Sequence, residues 1–171
     1  MLVPGKPLLA EEPASGFLIP EISFDTSTSV LKFHSAADLR RFLKKVLDSN
    51  LKETDKVSDV IALVMRDERI DSESPSVKGW VKTGTVFVNK TDPEKATLDV
   101  LFALTREIKP RIAQIQEALK ATEKLEALGV DSEDALLLYT KLGLPERIIV
   151  IKTDAPDEEK RFELNETFLT T

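Results

Sequence analysis

His34 is the only histidine in the chain and stands directly before Ser35, so one imidazole and one hydroxyl are adjacent. Nucleophilic catalysis by such a pair needs an aligned hydroxyl, an orienting acid and an oxyanion site, none of which sequence adjacency supplies. The expectation is a histidine at the end of a strand, touching solvent or backbone. One histidine also excludes a multi-histidine metal site. The absence of cysteine removes thiol nucleophiles, thiolate zinc sites, iron–sulfur clusters and disulfide scaffolds. Two acidic clusters carry oxygens suited to a hard cation: Asp67, Glu68, Asp71 and Glu73, then Asp154, Asp157, Glu158 and Glu159. Neither has the Asp-x-Asp-x-Asp-Gly spacing of a calcium loop, so both read as solvated acidic loops. Gly79-Trp80-Val81-Lys82-Thr83-Gly84-Thr85 has the glycine spacing of a phosphate-binding loop without the Lys that must follow the second glycine. No catalytic, cofactor-binding or metal-binding residue is assigned on this basis, and no cofactor is expected. The reading leans away from an enzyme, although separated Asp, Glu, Lys and Ser residues or Tyr139 converging in space would leave no mark in the sequence.

Arg40, Arg41, Lys44 and Lys45 fall on one face of a predicted helix, since positions i, i+3 and i+4 are neighbours there. Nucleic-acid affinity rests mainly on phosphate neutralisation, so this stripe supports an alternative function as a nucleic-acid-associated regulator. Against it, the chain has 24 Lys and Arg to 30 Asp and Glu, a net charge of -6, and the aromatic residue among these four cations, Phe42, belongs to the apolar stripe. A solvated face opposite an apolar one is the expectation.

These residues sit in a chain of 171 residues, 42% hydrophobic and 32% charged, which is too apolar for a disordered chain and sufficient for one compact domain. A domain of this size buries roughly 70% of the surface its unfolded chain exposes, so no metal or disulfide is needed to supply a core. Residues 1–20, with four prolines and the pair Glu11, Glu12, lack the basic start and unbroken apolar stretch of a secretory signal and read as an extended arm. The longest apolar run, Val60 to Met65, is far short of a membrane span. A soluble, cytoplasmic protein without a membrane partner is expected. Three Asn and two Gln beside abundant Lys and Glu are a bias seen in proteins from hot environments.

Residues 21–171 read as a single α+β domain: short β-hairpins and a buried C-terminal strand packed with a first amphipathic helix and a long Pro-kinked helix. Ile22 to Phe24 and Val30 to Phe33 are β-prone runs that suggest a hairpin or loop-connected pair. Ser35 is a helix N-cap, with Leu39, Phe42, Leu43, Val46 and Leu47 at helical spacing and an end near Asn50. Val57 to Met65 fits either a helix face or a buried strand, and Thr54 with Asp55, as cap and first-turn acid, tips it toward helix. Asp67 to Ser76 reads as a loop. Val77 to Val88 reads as a hairpin turning at Thr83-Gly84, which pairs Trp80 with Phe87 and Val81 with Val86. Asp92-Pro93-Glu94 starts the longest periodic feature, whose stripe keeps phase across Pro110 to Leu128 before Gly129 stops it. Ser132 caps a short helix through Leu142, ended by Gly143-Leu144-Pro145. Arg147 to Lys152 reads as a strand buried on both faces, and Arg161 to Leu164 as its returning partner.

The stretch Lys124 to Pro145, KLEALGVDSEDALLLYTKLGLP, resembles the helix–turn–helix half of ribbon-helix-helix antitoxins: a helix ends at Leu-Gly, a Ser starts the next, and Asp-Ala-Leu leads into its apolar face. In that family a short strand before the first helix enters the DNA major groove as a dimer. Here the nearest strand, Thr85 to Asn89, lies far upstream and the intervening helix is too long, so no DNA-reading residue carries over.

On the long helix, Leu101, Ile108 and Ile115 recur every seven residues, with Leu104, Ala118 and Leu125 at the second seam position and Arg111 interrupting that second series. A helix of this length has more apolar edge than a small sheet covers. The function expected is therefore a non-enzymatic structural or interaction protein, a homo-oligomer or the binder of another protein, acting through the long helix and the N-terminal arm.

Overall fold

The computed structural model describes residues 19–66 and 79–152. Its elements are β1 (Ser29–Phe33), α1 (Ala36–Arg66), β2 (Trp80–Thr83), β3 (Val86–Asn89), α2 (Pro93–Glu123), β4 (Ala135–Lys141) and β5 (Leu144–Ile151), an α+β fold. An antiparallel sheet of order β1-β4-β5 and a separate β2-β3 ribbon accompany the two helices. The helices run antiparallel, because Arg40 at the start of α1 bonds Thr122 at the end of α2, while Val57, Val60 and Val64 pack with Leu98, Leu101 and Ile108.

Ser35 caps α1 as expected, its Oγ accepting the Asp38 amide at 3.2 Å. The helix does not end at Asn50. Asn50 Nδ2 donates to the Val46 carbonyl at 2.7 Å and Thr54 Oγ1 donates to the Asn50 carbonyl at 2.8 Å. Both side chains bond one turn back along the helix, so neither offers the capping alternative that their types suggest. Val57 to Met65 is thus helical, as a continuation of α1 rather than a new element.

α2 starts as expected, with Asp92 Oδ1 accepting the Lys95 amide and Pro93 in the first turn. It continues as one helix across Pro110, then gives way after Glu123 to a 3-10 turn at Glu126–Leu128, with Gly129 left-handed at φ 83°. Its seam residues Leu101, Ile108 and Ile115 are all buried.

The largest departure is β4. Residues 135–141 form the central strand of the sheet, and no helix follows Ser132. Leu136, Leu138 and Thr140 alternate into the core, where both leucines meet Leu39 and Leu43 of α1 and Leu125 after α2. The partner of β1 is therefore β4, with Ser29 opposite Thr140 and a buried 2.7 Å hydrogen bond between their hydroxyls. Leu142 and Gly143, with φ of 54° and 74°, make the tight β4-β5 turn. β5 confirms the expected strand but not its burial on both faces: as an edge strand it leaves Ile149 54% exposed. The expected strand at Arg161 to Leu164 and the loop Asp67 to Ser76 lie outside the described residues.

Ile22 and Phe24 form no strand; they lie half-buried against the lower α1-α2 core as an extended strap. Glu53 Oε2 accepts the Ser23 amide at 3.1 Å, and Lys56 bridges Glu53 and the Glu21 carbonyl. Arg111, the residue that interrupts the heptad series, donates from Nη1 to the Leu142 carbonyl and from Nη2 to the Asp25 carbonyl, each at 2.9 Å, with its guanidinium 5.6 Å from the Phe24 ring centre. One side chain thus joins α2, the strap and the β4-β5 turn.

Gly143 lies against the strap so closely that a Cβ would fall on the Asp25 carbonyl, and its φ is already positive. Gly143→Ala is expected to cost at least about 2 kcal/mol in urea unfolding, from combined backbone strain and overlap. The Lys56 hydrogen bond, then the Ser23 amide, hold the Glu53 carboxyl below its ordinary value of 4.5. A depressed carboxylate contributes stability that is full above the unfolded value and is lost as pH falls through the folded one. The thermal midpoint of the wild type should therefore fall toward that of Glu53→Gln on acidification from neutrality to about pH 3, and a constant difference would contradict the assignment.

Candidate protein-interaction surface

The ribbon's local rules come from its turn. Gly84, with φ 64°, and Thr85 form the loop, so Thr83 pairs with Val86, Lys82 with Phe87, Val81 with Val88 and Trp80 with Asn89. The turn falls one residue later than the Thr83-Gly84 expectation, which moves every partner by two positions. Cross-strand partners share a face and alternate residues change face. One face of the ribbon is thus Val81, Thr83, Val86 and Val88, and the other Trp80, Lys82, Phe87 and Asn89.

Trp80 Nε1 donates to Asp99 Oδ2 of α2 at 3.1 Å, so the base of the ribbon is tied to that helix. Beyond that base both faces are open. Val81, Val86 and Phe87 are 62%, 59% and 63% exposed, and Val88 is exposed as well. On α2 beside Asp99, Val100 and Phe102 are also exposed. The outer edges of β2 and β3 carry no third strand among the described residues. A two-stranded ribbon is marginal in water by itself, and contiguous exposed apolar side chains of this kind mark contact surfaces.

A second feature is an open, mainly apolar groove of about 540 Å³ between α2 and β5, floored by Ala118, Ala121, Leu125, Ile148 and Val150. At its end Lys152 Nζ bonds Asp134 at 2.8 Å, also donates to the Gly129 carbonyl, and stands 3.8 Å from Asp131. The Asp134 hydrogen bond, reinforced by the charges of Asp134 and Asp131, raises the Lys152 pKa against the effect of desolvation. That ammonium is neutralised within the fold and offers no free charge to a ligand in the groove.

The residues singled out for chemistry are not brought together. His34 is exposed beyond the end of β1, and the Ser35 hydroxyl is spent on the α1 cap. The Gly79 to Thr85 spacing is that of the ribbon and its turn rather than a phosphate loop. Both acidic clusters lie outside the described residues, and among the described residues no group of three or more His, Asp or Glu side chains is placed to hold a metal ion. The cationic stripe is divided: Arg40 turns inward to the Thr122 hydroxyl and carbonyl, Arg41 pairs with Asp38, and Lys44 and Lys45 are exposed. No helix among the described residues is long and apolar enough to cross a membrane. The likeness of Lys124 to Pro145 to ribbon-helix-helix antitoxins ends at Ala135, where a strand replaces the second helix. No family model, curated protein or solved structure matches the chain.

The ribbon's exposure escapes sequence reasoning, because Val86-Phe87-Val88 looks the same whether a strand is covered or bare. One of its anchors to α2 is the chain's single tryptophan. Asp99→Ala should lower the fluorescence anisotropy of Trp80 while moving the global thermal midpoint by no more than about 2 °C, since the bond is peripheral to both cores. An unchanged anisotropy would show that the ribbon is held by other means.

Proposed function

We propose that the protein is a non-enzymatic structural or interaction protein whose contact surface is the β2-β3 ribbon with the adjoining turn of α2. The observation that carries this reading is the ribbon itself, whose exposed valines and Phe87 stand at one end of the molecule. The long helix enters the reading differently from its sequence pattern. Its seam is used internally against α1 and the sheet, and Val100 and Phe102 are what it presents near the ribbon. The N-terminal arm, residues 1–18 of which lie outside the described residues, remains a second contact element of the proposal. The nucleic-acid reading is weaker, because Arg40 and Arg41 are already engaged within the fold.

The test follows amide resonances of uniformly labelled protein in concentrated host lysate and in dilute buffer. Ribbon amides between Val81 and Val88 should broaden selectively in lysate, and Val81→Lys combined with Val88→Lys should abolish the effect while the remaining spectrum is preserved. Ribbon resonances equally sharp in both media, at every protein concentration, would remove the reading.

A further inference from the structure

We infer that Arg161 to Leu164, which follow the described residues, return along the open edge of β5 as a fourth antiparallel strand and fill the α2-β5 groove with Phe162 and Leu164. This concerns the sheet end of the helix pair and does not rest on the ribbon reading. At that end the cover over the sheet stops one strand short. Cross-strand partners share a face, so Val150 and Ile148 of β5 stand on the same helix-facing side as Leu136 and Leu138 of β4. Both leucines are 0% exposed, whereas Ile148 and Val150 are only half-buried. Across from them α2 presents Ala118 and Ala121, whose short side chains leave the groove open. β5 is also an edge of the sheet among the described residues, and its run Ile148-Ile149-Val150-Ile151 has none of the charges or prolines that protect an edge.

The chain's own continuation is the occupant that position, pattern and charge select. The groove runs from Gly129, Val130 and Lys152 at one end to Gln114 and Pro145 at the other, so the chain leaves β5 at the groove's entrance. A segment that turns back from Lys152 is antiparallel to β5 by direction alone, and its tether holds it at millimolar effective concentration, which any free competitor must exceed. The return from Lys152 to Pro145 is roughly 23 Å of strand, well within the reach of residues 153–171 after a turn at Ala155-Pro156-Asp157. Phe162 and Leu164 alternate with Arg161 and Glu163, so as a strand the segment has one apolar and one charged face. Setting Phe162 beside Val150 and Leu164 beside Ile148 puts the apolar pair in the groove, whereas a slip of one residue would bury both charges there. The outward positions of the three strands carry Lys32, Lys141 and Arg147. The one carboxylate in those strands, Glu146, lines the groove and comes no nearer than 3.7 Å to Arg147. Residues 153–171 carry six carboxylates against Lys160 and Arg161, the charge that this outward face lacks.

The test uses the full chain, whose lack of cysteine leaves introduced pairs as the only thiols. With copper phenanthroline as oxidant, Val150→Cys with Phe162→Cys and Ile148→Cys with Leu164→Cys should close disulfides within one chain. Lys32→Cys with Leu164→Cys, which sets the thiol on the far strand of the sheet, should close several-fold less. In separate samples followed by hydrogen exchange, Phe162→Asp with Leu164→Asp should speed exchange at least tenfold for the alternate β5 amides that face the open edge. The β1 amides and the circular dichroism spectrum should not change, since neither substituted residue belongs to the two helix-pair cores. Disulfides that form only between chains assign the groove to the tail of a second copy and overturn the inference. Groove pairs that fail to close, or close no better than the Lys32 control, overturn it and leave the groove to a different ligand. Edge amides of β5 indifferent to the Asp substitutions overturn it whatever the crosslinks show, because a segment that confers no protection is not a paired strand.

Discussion

Two apolar stripes facing each other along antiparallel 31-residue helices are what the rest of this molecule is built around. A helix of that length extends about 46 Å, whereas a strand of five to eight residues covers roughly half of that or less. The three-stranded sheet can therefore cover only one end of the helix pair. At that end Leu39, Leu43 and Leu125 close on Leu136 and Leu138 of the central strand. At the other end Val57, Val60 and Val64 must be satisfied by Leu98, Leu101 and Ile108, with Ile22 and Phe24 of the strap laid across the outside. The fold thus has two cores on one pair of helices, and its two ends are chemically unlike.

What joins the two regions is polar and local. Arg111 reaches the carbonyls of Asp25 and Leu142 with separate nitrogens, so the strap and the β4-β5 turn are tied to α2 by a single planar group. A guanidinium offers this divided geometry where an ammonium offers a point charge. Gly143 permits the close approach that brings both carbonyls within reach, and its amide donates to Ser27 at 2.7 Å. At the sheet end the Ser29 and Thr140 hydroxyls satisfy each other and Lys152 is neutralised, while Leu128, Leu142 and Ile149 are exposed around the groove.

The ribbon end is different. It stands on the Trp80 and Asp99 bond and on Asn89, whose Oδ1 accepts the amides of Thr91 and Asp92 at the start of α2. Its side chains include valines and a phenylalanine with much of their surface in water. Burying such groups is favourable by roughly 25 cal/mol per Å², so a surface of this kind favours association unless charge or shape opposes it. Within the two strands of the ribbon Lys82 is the one charged side chain, and the exposed Lys90 follows β3 directly.

The sequence alone determined both helical stripes, the caps at Ser35 and Asp92, the ribbon as an element, and the strand at residues 147–151. Those features rest on spacing and on cap chemistry, which act within a few residues. It misplaced Asn50 and Thr54 as boundaries, because a polar side chain that bonds one turn back looks the same in sequence as one that ends a helix. It read Ala135 to Lys141 as helix for a related reason: Ser-Glu-Asp before Leu-Leu-Leu satisfies local capping rules, whereas its strand state is imposed by β1 and β5 on either side and by α1 beneath. Only tertiary structure decided that the long helix spends its seam inside the fold and that the ribbon is left bare. Which apolar face finds cover depends on contacts between residues far apart in the chain, and those leave no periodic trace within any one segment.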